Sequence, residues 1–206
     1  ANGGEEAKAA ALEIKKLHES GRKYSDMAIL YRAHYVTRNL EEALLKADIP
    51  YTIYSGAQFF DRMEIKDALC YLRMIAYKDD MAFRRIVNKP KRNIGKRRMD
   101  FLTQKAEEEH ISLYEALKLN LEDPLFKKTK AADFIELIEY FAKDSQGKPV
   151  SEVLSAILDE SGYEEMLRTE GSQERLDDLA ELKQSIFEYE ASAGEETSIA
   201  DYLEQA

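Results

Sequence analysis

The chain has 206 residues, room for one ordinary domain or two small ones, and its 44% hydrophobic and 34% charged content suits a soluble globular protein with a real core. Acidic residues outnumber basic ones, 40 to 30, and the net charge of −10 argues against nucleic acid unless cations cluster locally, since screening hides exposed charges beyond about 10 Å. No apolar run nears the roughly 20 residues of a membrane span and no signal peptide opens the sequence. The single cysteine, Cys70, sits among Leu69, Tyr71 and Leu72 and reads as a buried small hydrophobe, so a reducing cytoplasm is the expected compartment.

In chain order, Glu5–Ser20 places Ala9, Leu12, Ile14 and Leu17 at mostly helical spacing, with Gly21 as a stop. "DMAILYR" (Asp26–Arg32) has the look of a buried strand. "TRNLEEALLKADIP" is a second helix closed by Pro50, and "YTIYS" is a second strand candidate, rich in aromatic and β-branched residues. Helix, strand, helix, strand is the order of a parallel α/β unit, and two strands do not make a stable sheet alone.

After Gly56 the strand signal ends. Asp61–Tyr77 carries Ile65, Ala68, Leu69, Leu72, Ile75 and Ala76 on one helical face. Further helices are predicted at about 80–88, 96–109, 111–119, 128–143, 150–160, 172–190 and 197–204, with breaks at Pro90, Pro124, Ser145–Pro149, Gly171 and Gly194. The expected fold is therefore mainly α: a partial α/β element over residues 1–57, then an all-α domain over 58–206.

The most unusual stretch is "NKPKRNIGKRRMD" (Asn88–Asp100). Between Met81 and Met99 stand eight Lys or Arg residues and no Asp or Glu. Ile94 as an apolar plug and Gly95 as a permissive residue give a helix–hairpin–helix turn, whose second helix starts with unsatisfied N–H groups and a favourable dipole. Lys91, Arg92, Lys96, Arg97 and Arg98 would surround that anion site and grip phosphates without reading bases. The other reading is a solvated basic face. The missing acids and Gly95 at the helix start favour the first.

Other candidates are weaker. In "YRAHYVTR", Tyr31 or Tyr35 could stack on a base and Arg32 or Arg38 meet phosphate. On these residues alone, sheet packing by Tyr31 and ion pairs to Glu41 and Glu42 are preferred. Glu64, Lys66 and Asp67 read as helix-surface ion pairs. The sequence contains no phosphate loop, H-E-x-x-H, C-x-x-C or G-x-S-x-G motif, and His18, His34 and His110 stand apart.

Taken together, "MAILYRAHYVTRNLEEALLKADIPY", "FFDRMEIKDALCYLR", "VNKPKRNIGKRRMD" and "EGSQERLDDLAEL" resemble UvrD/PcrA/Rep-type superfamily 1 DNA helicases over nearly the whole chain. The resemblance implies that residues to about 57 are part of the second RecA-like domain (2A) and the rest most of the helical domain 2B. It implies an ATP-dependent, 3′-to-5′ enzyme of repair or replication, of which this chain is a piece without ATP or Mg²⁺ sites of its own and without catalysis. DNA at a single/double-strand junction would be the partner, with repair proteins as further candidates and no membrane. The family's duplex-contacting Gly-Ile-Gly turn falls on Asn93, Ile94 and Gly95. Asn replaces the first Gly there, and Asn tolerates positive φ better than most residues. Arg175 is the second duplex candidate, and Tyr31 and Arg32 fall near the single-strand track. "AHYVTR" departs from the family's "SNAQSR", so no contact through His34–Thr37 is carried over. The alternative function is a protein-docking or autoregulatory helical module that uses its acidic surface.

Overall fold

The computed structural model describes residues 3–31, 36–53, 59–193 and 197–205. The chain divides into two compact units, Ala1–Ile65 and Lys66–Ala206.

In the first unit, α1 (Gly3–Glu19) packs on α2 (Val36–Lys46). Ala7 and Ala11 present small faces to Leu40, Ala43, Leu44 and Ile49, so two helices with little apolar mass still close on each other. Gly21, at φ 103°, ends α1, and the Arg22 amide donates to the Leu17 carbonyl at 3.1 Å. Glu41 is buried but not idle: it accepts from the Tyr51 hydroxyl at 2.9 Å and from the Phe59 amide at 3.0 Å. Burial and the Glu41 carboxylate together push the Tyr51 hydroxyl up to about 12.

The two segments expected to be strands form none among the described residues. Tyr24–Asp26 is a 3₁₀ turn, Met27–Tyr31 and Tyr51–Ile53 are irregular, and Leu30 is 94% exposed. A strand needs a neighbour for its N–H and C=O groups, and nothing among the described residues supplies one.

Every regular element among the described residues of the second unit is a helix. It contains most of α3 (Met63–Ala76), then α4 (Asp80–Ile86), α5 (Lys96–Glu109), α6 (Leu113–Leu119), α7 (Ala131–Asp144), α8 (Val150–Glu160), α9 (Tyr163–Thr169), α10 (Gln173–Ala193) and α11 (Ile199–Gln205). Its packing follows chain order: α5 on α6, α6 on α4 and α7, α7 on α8, and α8 on α9 and α10. Local chemistry sets the boundaries. Asp79 accepts from the Ala82 amide at 2.9 Å and Ser112 from the Glu115 amide at 3.1 Å, each fixing a helix start. Thr129 accepts from the Ala131 amide at 3.1 Å, so α7 begins three residues later than its apolar pattern predicts. Helix α9 was not anticipated. Only Tyr163 and Leu167 anchor it, and Gly162 at φ 77° turns the chain into it from α8. Gly194, read as the end of α10, lies outside the described residues. No described helix is long and apolar enough to cross a membrane.

Candidate nucleic-acid interface

The connection from α4 to α5 is held by one side chain at its centre. Asn88 Oδ1 accepts from the amides of Arg92 at 2.8 Å and Ile94 at 3.1 Å, folding residues 88–94 into a tight loop. Ile94 is 2% exposed and plugs the turn, as its position predicts. The positive φ falls on Asn93, at 62°, whereas Gly95 is extended at φ −89° and ψ −169°. Gly95 is the N-cap of α5, and a Cβ built on it meets no atom within 4 Å. The glycine therefore leaves open space rather than relieving strain.

Arg92 does not face solvent. It is 6% exposed, and its guanidinium donates to the carbonyls of Ile86, Val87 and Lys89 at 3.0–3.2 Å. It also donates to the Tyr71 hydroxyl at 3.2 Å and the Ser161 carbonyl at 3.4 Å, and lies 5.0 Å over the Phe134 ring. The planar fork caps the carbonyl end of α4 and ties the turn to α3 and to the α8–α9 junction. The expected phosphate contact is in this structure an internal clamp, because six carbonyl and hydroxyl acceptors, the Pro90 carbonyl at 3.4 Å among them, converge where a solvated cation would have none.

A second layer supports the clamp. Asp67, 1% exposed, accepts from Arg85 Nε at 2.6 Å, Lys89 Nζ at 3.0 Å and the Tyr163 hydroxyl at 2.8 Å. Asp67 was expected on a helix surface; the unanticipated α9 covers it through Tyr163.

With Arg92 turned inward, the outward face carries Lys91, Asn93, Gly95, Lys96 and Arg97, all exposed. The first turn of α5 contains no acid, and the Lys96 and Arg97 amides have no acceptor among the described residues. Arg98 is half-buried, with Nε donating to the Leu125 carbonyl at 2.6 Å. An open depression of about 480 Å³ lies beside the turn. Asn88, Lys91, Arg92, Asn93 and Gly95 line one side, and Lys128, Thr129 and Lys130 line another. The two segments are joined by the Lys130 amide to the Arg92 carbonyl at 3.1 Å and by Asn93 Nδ2 to the Lys128 carbonyl at 3.3 Å. Sequence reasoning missed the second segment. Its signal is the acid-free "LFKKTKAA" between Asp123 and Asp133.

The remaining candidates are not brought to this depression. Arg175 stands in the first turn of α10 with NH1 3.4 Å from Glu170 Oε2, and is absent from the lining. In the first unit, Tyr31 is 37% exposed, while Arg38 is 1% exposed and donates to Glu42 at 3.0 Å. Arg32, His34 and Tyr35 lie outside the described residues.

The whole chain, residues 1–206, matches the family model described as the UvrD-like helicase C-terminal domain. The ATP-dependent DNA helicase PcrA of Staphylococcus epidermidis is 40% identical over 206 aligned positions, covering 97% of this chain and 28% of that protein. The PcrA of Staphylococcus aureus is 38% identical over the same coverage. The chain thus spans little more than a quarter of the length of the curated relatives it matches, and it belongs to the UvrD-like helicase C-terminal domain family.

Proposed function

We propose that this chain is the part of an ATP-dependent, 3′-to-5′ DNA helicase that holds duplex DNA at the single/double-strand junction and so regulates the motor. Residues 1–57 would belong to the second RecA-like domain and 58–206 to the inserted helical domain. ATP and Mg²⁺ would be bound by other parts of the parent protein, since no phosphate-loop motif occurs in this sequence. The carrying observation is the outward face of the turn: Lys91, Lys96 and Arg97 exposed, no acid in the first turn of α5, and open space over Gly95. Such a face holds phosphates and leaves base identity unread. Tyr31 and Arg175 stay as secondary contacts, whereas Arg38 is 1% exposed.

The test is the salt dependence of binding to a hairpin duplex. With three or four phosphates engaged, log K against log[salt] should slope by about −3 to −4. Changing Lys96→Gln and Arg97→Gln together should flatten the slope by up to about two and weaken all sequences alike. Gly95→Val should weaken binding with the charge intact, because its φ is open to any residue and its added atoms project only toward the ligand. An unchanged affinity and slope in the double variant overturns the proposal and leaves the protein-docking role.

A further inference from the structure

Most cations of the second unit are already engaged. Arg73 meets Asp79 at 2.7 Å, Lys118 meets Glu139 at 3.2 Å, Lys148 meets Asp144 at 2.7 Å, and Arg168 meets Glu164 at 3.4 Å. Arg85 and Lys89 share Asp67, Lys105 meets Glu108, and Lys183 meets Glu164. Lys78 lies over the Tyr114 ring, and Arg84 and Arg98 donate to Thr103 and the Leu125 carbonyl. Among the described residues of the second unit, the cations given no such partner are Lys143 and two groups of three. One group, Lys91, Lys96 and Arg97, belongs to the α4–α5 turn. The other, Lys127, Lys128 and Lys130, belongs to the connection between α6 and α7. In a chain with ten more acids than bases this separation is unexpected. Charges left unpaired lie where an outside anion can replace the missing carboxylates.

The geometry makes the two groups one surface. Lys91 lines the depression from one segment and Lys128 and Lys130 from the other, and no carboxylate lines it. The two backbone-anchored hydrogen bonds, Lys130 amide to Arg92 carbonyl and Asn93 Nδ2 to Lys128 carbonyl, fix the segments' spacing before any ligand arrives. The depression is concave, so the lysine fields overlap within it rather than diverging into solvent.

We infer that the Lys127–Lys130 segment is the second wall of a phosphate seat, which takes a backbone phosphate of duplex DNA between Lys91 on the turn and Lys128 and Lys130 opposite. This rests on the duplex-binding role proposed above and extends it to a segment outside the turn. The seat makes the turn's grip two-sided. A backbone held from both segments is fixed in direction as well as in place, which a one-sided cationic face does not achieve.

The experiment titrates the full 206-residue chain against a fluorescent hairpin duplex across salt concentrations. Changing Lys128→Gln and Lys130→Gln together should weaken binding by up to about tenfold at 0.1 M salt and flatten the slope by about one, the share of a single phosphate. Both lysines are exposed, so thermal unfolding should not move. Lys143→Gln, an exposed cation outside both segments, should change affinity less than about twofold. If the Lys128/Lys130 variant binds as the parent chain does while the Lys96/Arg97 variant is weakened, the seat is overturned and the turn's role stands. An equal loss from Lys143→Gln reduces the effect to overall charge and also overturns the seat. If neither double variant loses affinity, both readings fall. Binding of a poly-glutamate peptide as tight as that of the hairpin at equal salt assigns the depression to acidic protein segments instead.

Discussion

The two units fold by different economies. In the second unit, buried aromatic and aliphatic side chains from successive helices close on one another, among them Phe83, Phe134, Leu154 and Tyr163 at 1% exposure or less. In the first, α1 and α2 form a small Ala-rich core beside an open apolar groove of about 670 Å³, lined by Ile14, Tyr24, Ile29, Leu40, Tyr51 and Ile53. The difference lies in where hydrogen bonds are completed. A helix satisfies its own backbone, so a set of amphipathic helices needs only each other. A strand satisfies its backbone through neighbours, so a sequence with two good strand segments and no third leaves them irregular.

Hydrogen exchange tests that contrast most severely. Amides of Leu69–Ile75 in α3 should exchange only on unfolding of the second unit, while those of Ala28–Tyr31 should exchange almost as in an unfolded chain. Because a domain's stability is about 5–15 kcal/mol, the two sets should differ by several orders of magnitude. Equal protection, or slower exchange in Ala28–Tyr31, would mean that the first unit is completed by contacts the contrast leaves out.

The same contrast explains what could be read from sequence. Helices survive transfer from pattern to structure because their periodicity is a property of the segment alone; α5 occupies the residues its pattern predicts. The missed helix, α9, has two apolar anchors in seven residues, too few to show a period. The fate of Arg92 could not be read from its neighbours either. Eight cations in one acid-free stretch look equivalent, and what separates Arg92 is the convergence of carbonyls from Ile86, Val87, Lys89 and the distant Ser161. Asn93, Ile94 and Gly95 were legible as a turn, but the positive φ belongs to the asparagine. The Lys127–Lys130 wall needed the fold, since about 30 residues separate it from the turn it faces.

Arg92→Lys gives a smaller but more local test of the second unit's self-sufficiency. An ammonium keeps the charge yet lacks the planar fork, so it cannot serve both the α4 carbonyls and the Tyr71 hydroxyl. Leaving buried carbonyls unpaired costs about 1–3 kcal/mol. The expected outcome is a lower urea midpoint for the second unit at an unchanged far-ultraviolet signal. The hairpin salt slope should also keep its value, because the Arg92 guanidinium is 6% exposed and taken up by acceptors inside the fold. A flattened slope with unchanged stability would return Arg92 to the DNA-facing set.

Alkaline titration separates the units by the smallest effect. Cys70, in the second unit, is 6% exposed, and burial is the main cause that pushes its thiol from 9.0 up to about 11. A raised folded value means that folding favours the protonated thiol. The associated stability is complete below pH 9 and is lost as pH rises toward about 11. In the first unit Tyr51 is raised from 10.0 to about 12, first by burial and then by Glu41, so its contribution is complete below pH 10 and declines toward pH 12. Denaturant midpoints measured from pH 8 upward should therefore begin to fall for the second unit about one pH unit before Tyr51 begins to weaken the first. Cys70→Ala should remove the early decline and leave the later one. Tyr114, raised by burial and by its hydrogen bond to Glu139, adds to the second unit's loss only above pH 10 and cannot account for a decline between pH 9 and 10. If the thiol reacts with a disulfide reagent at pH 8 as fast in the native chain as in urea, Cys70 is not buried. The early decline would then have another origin.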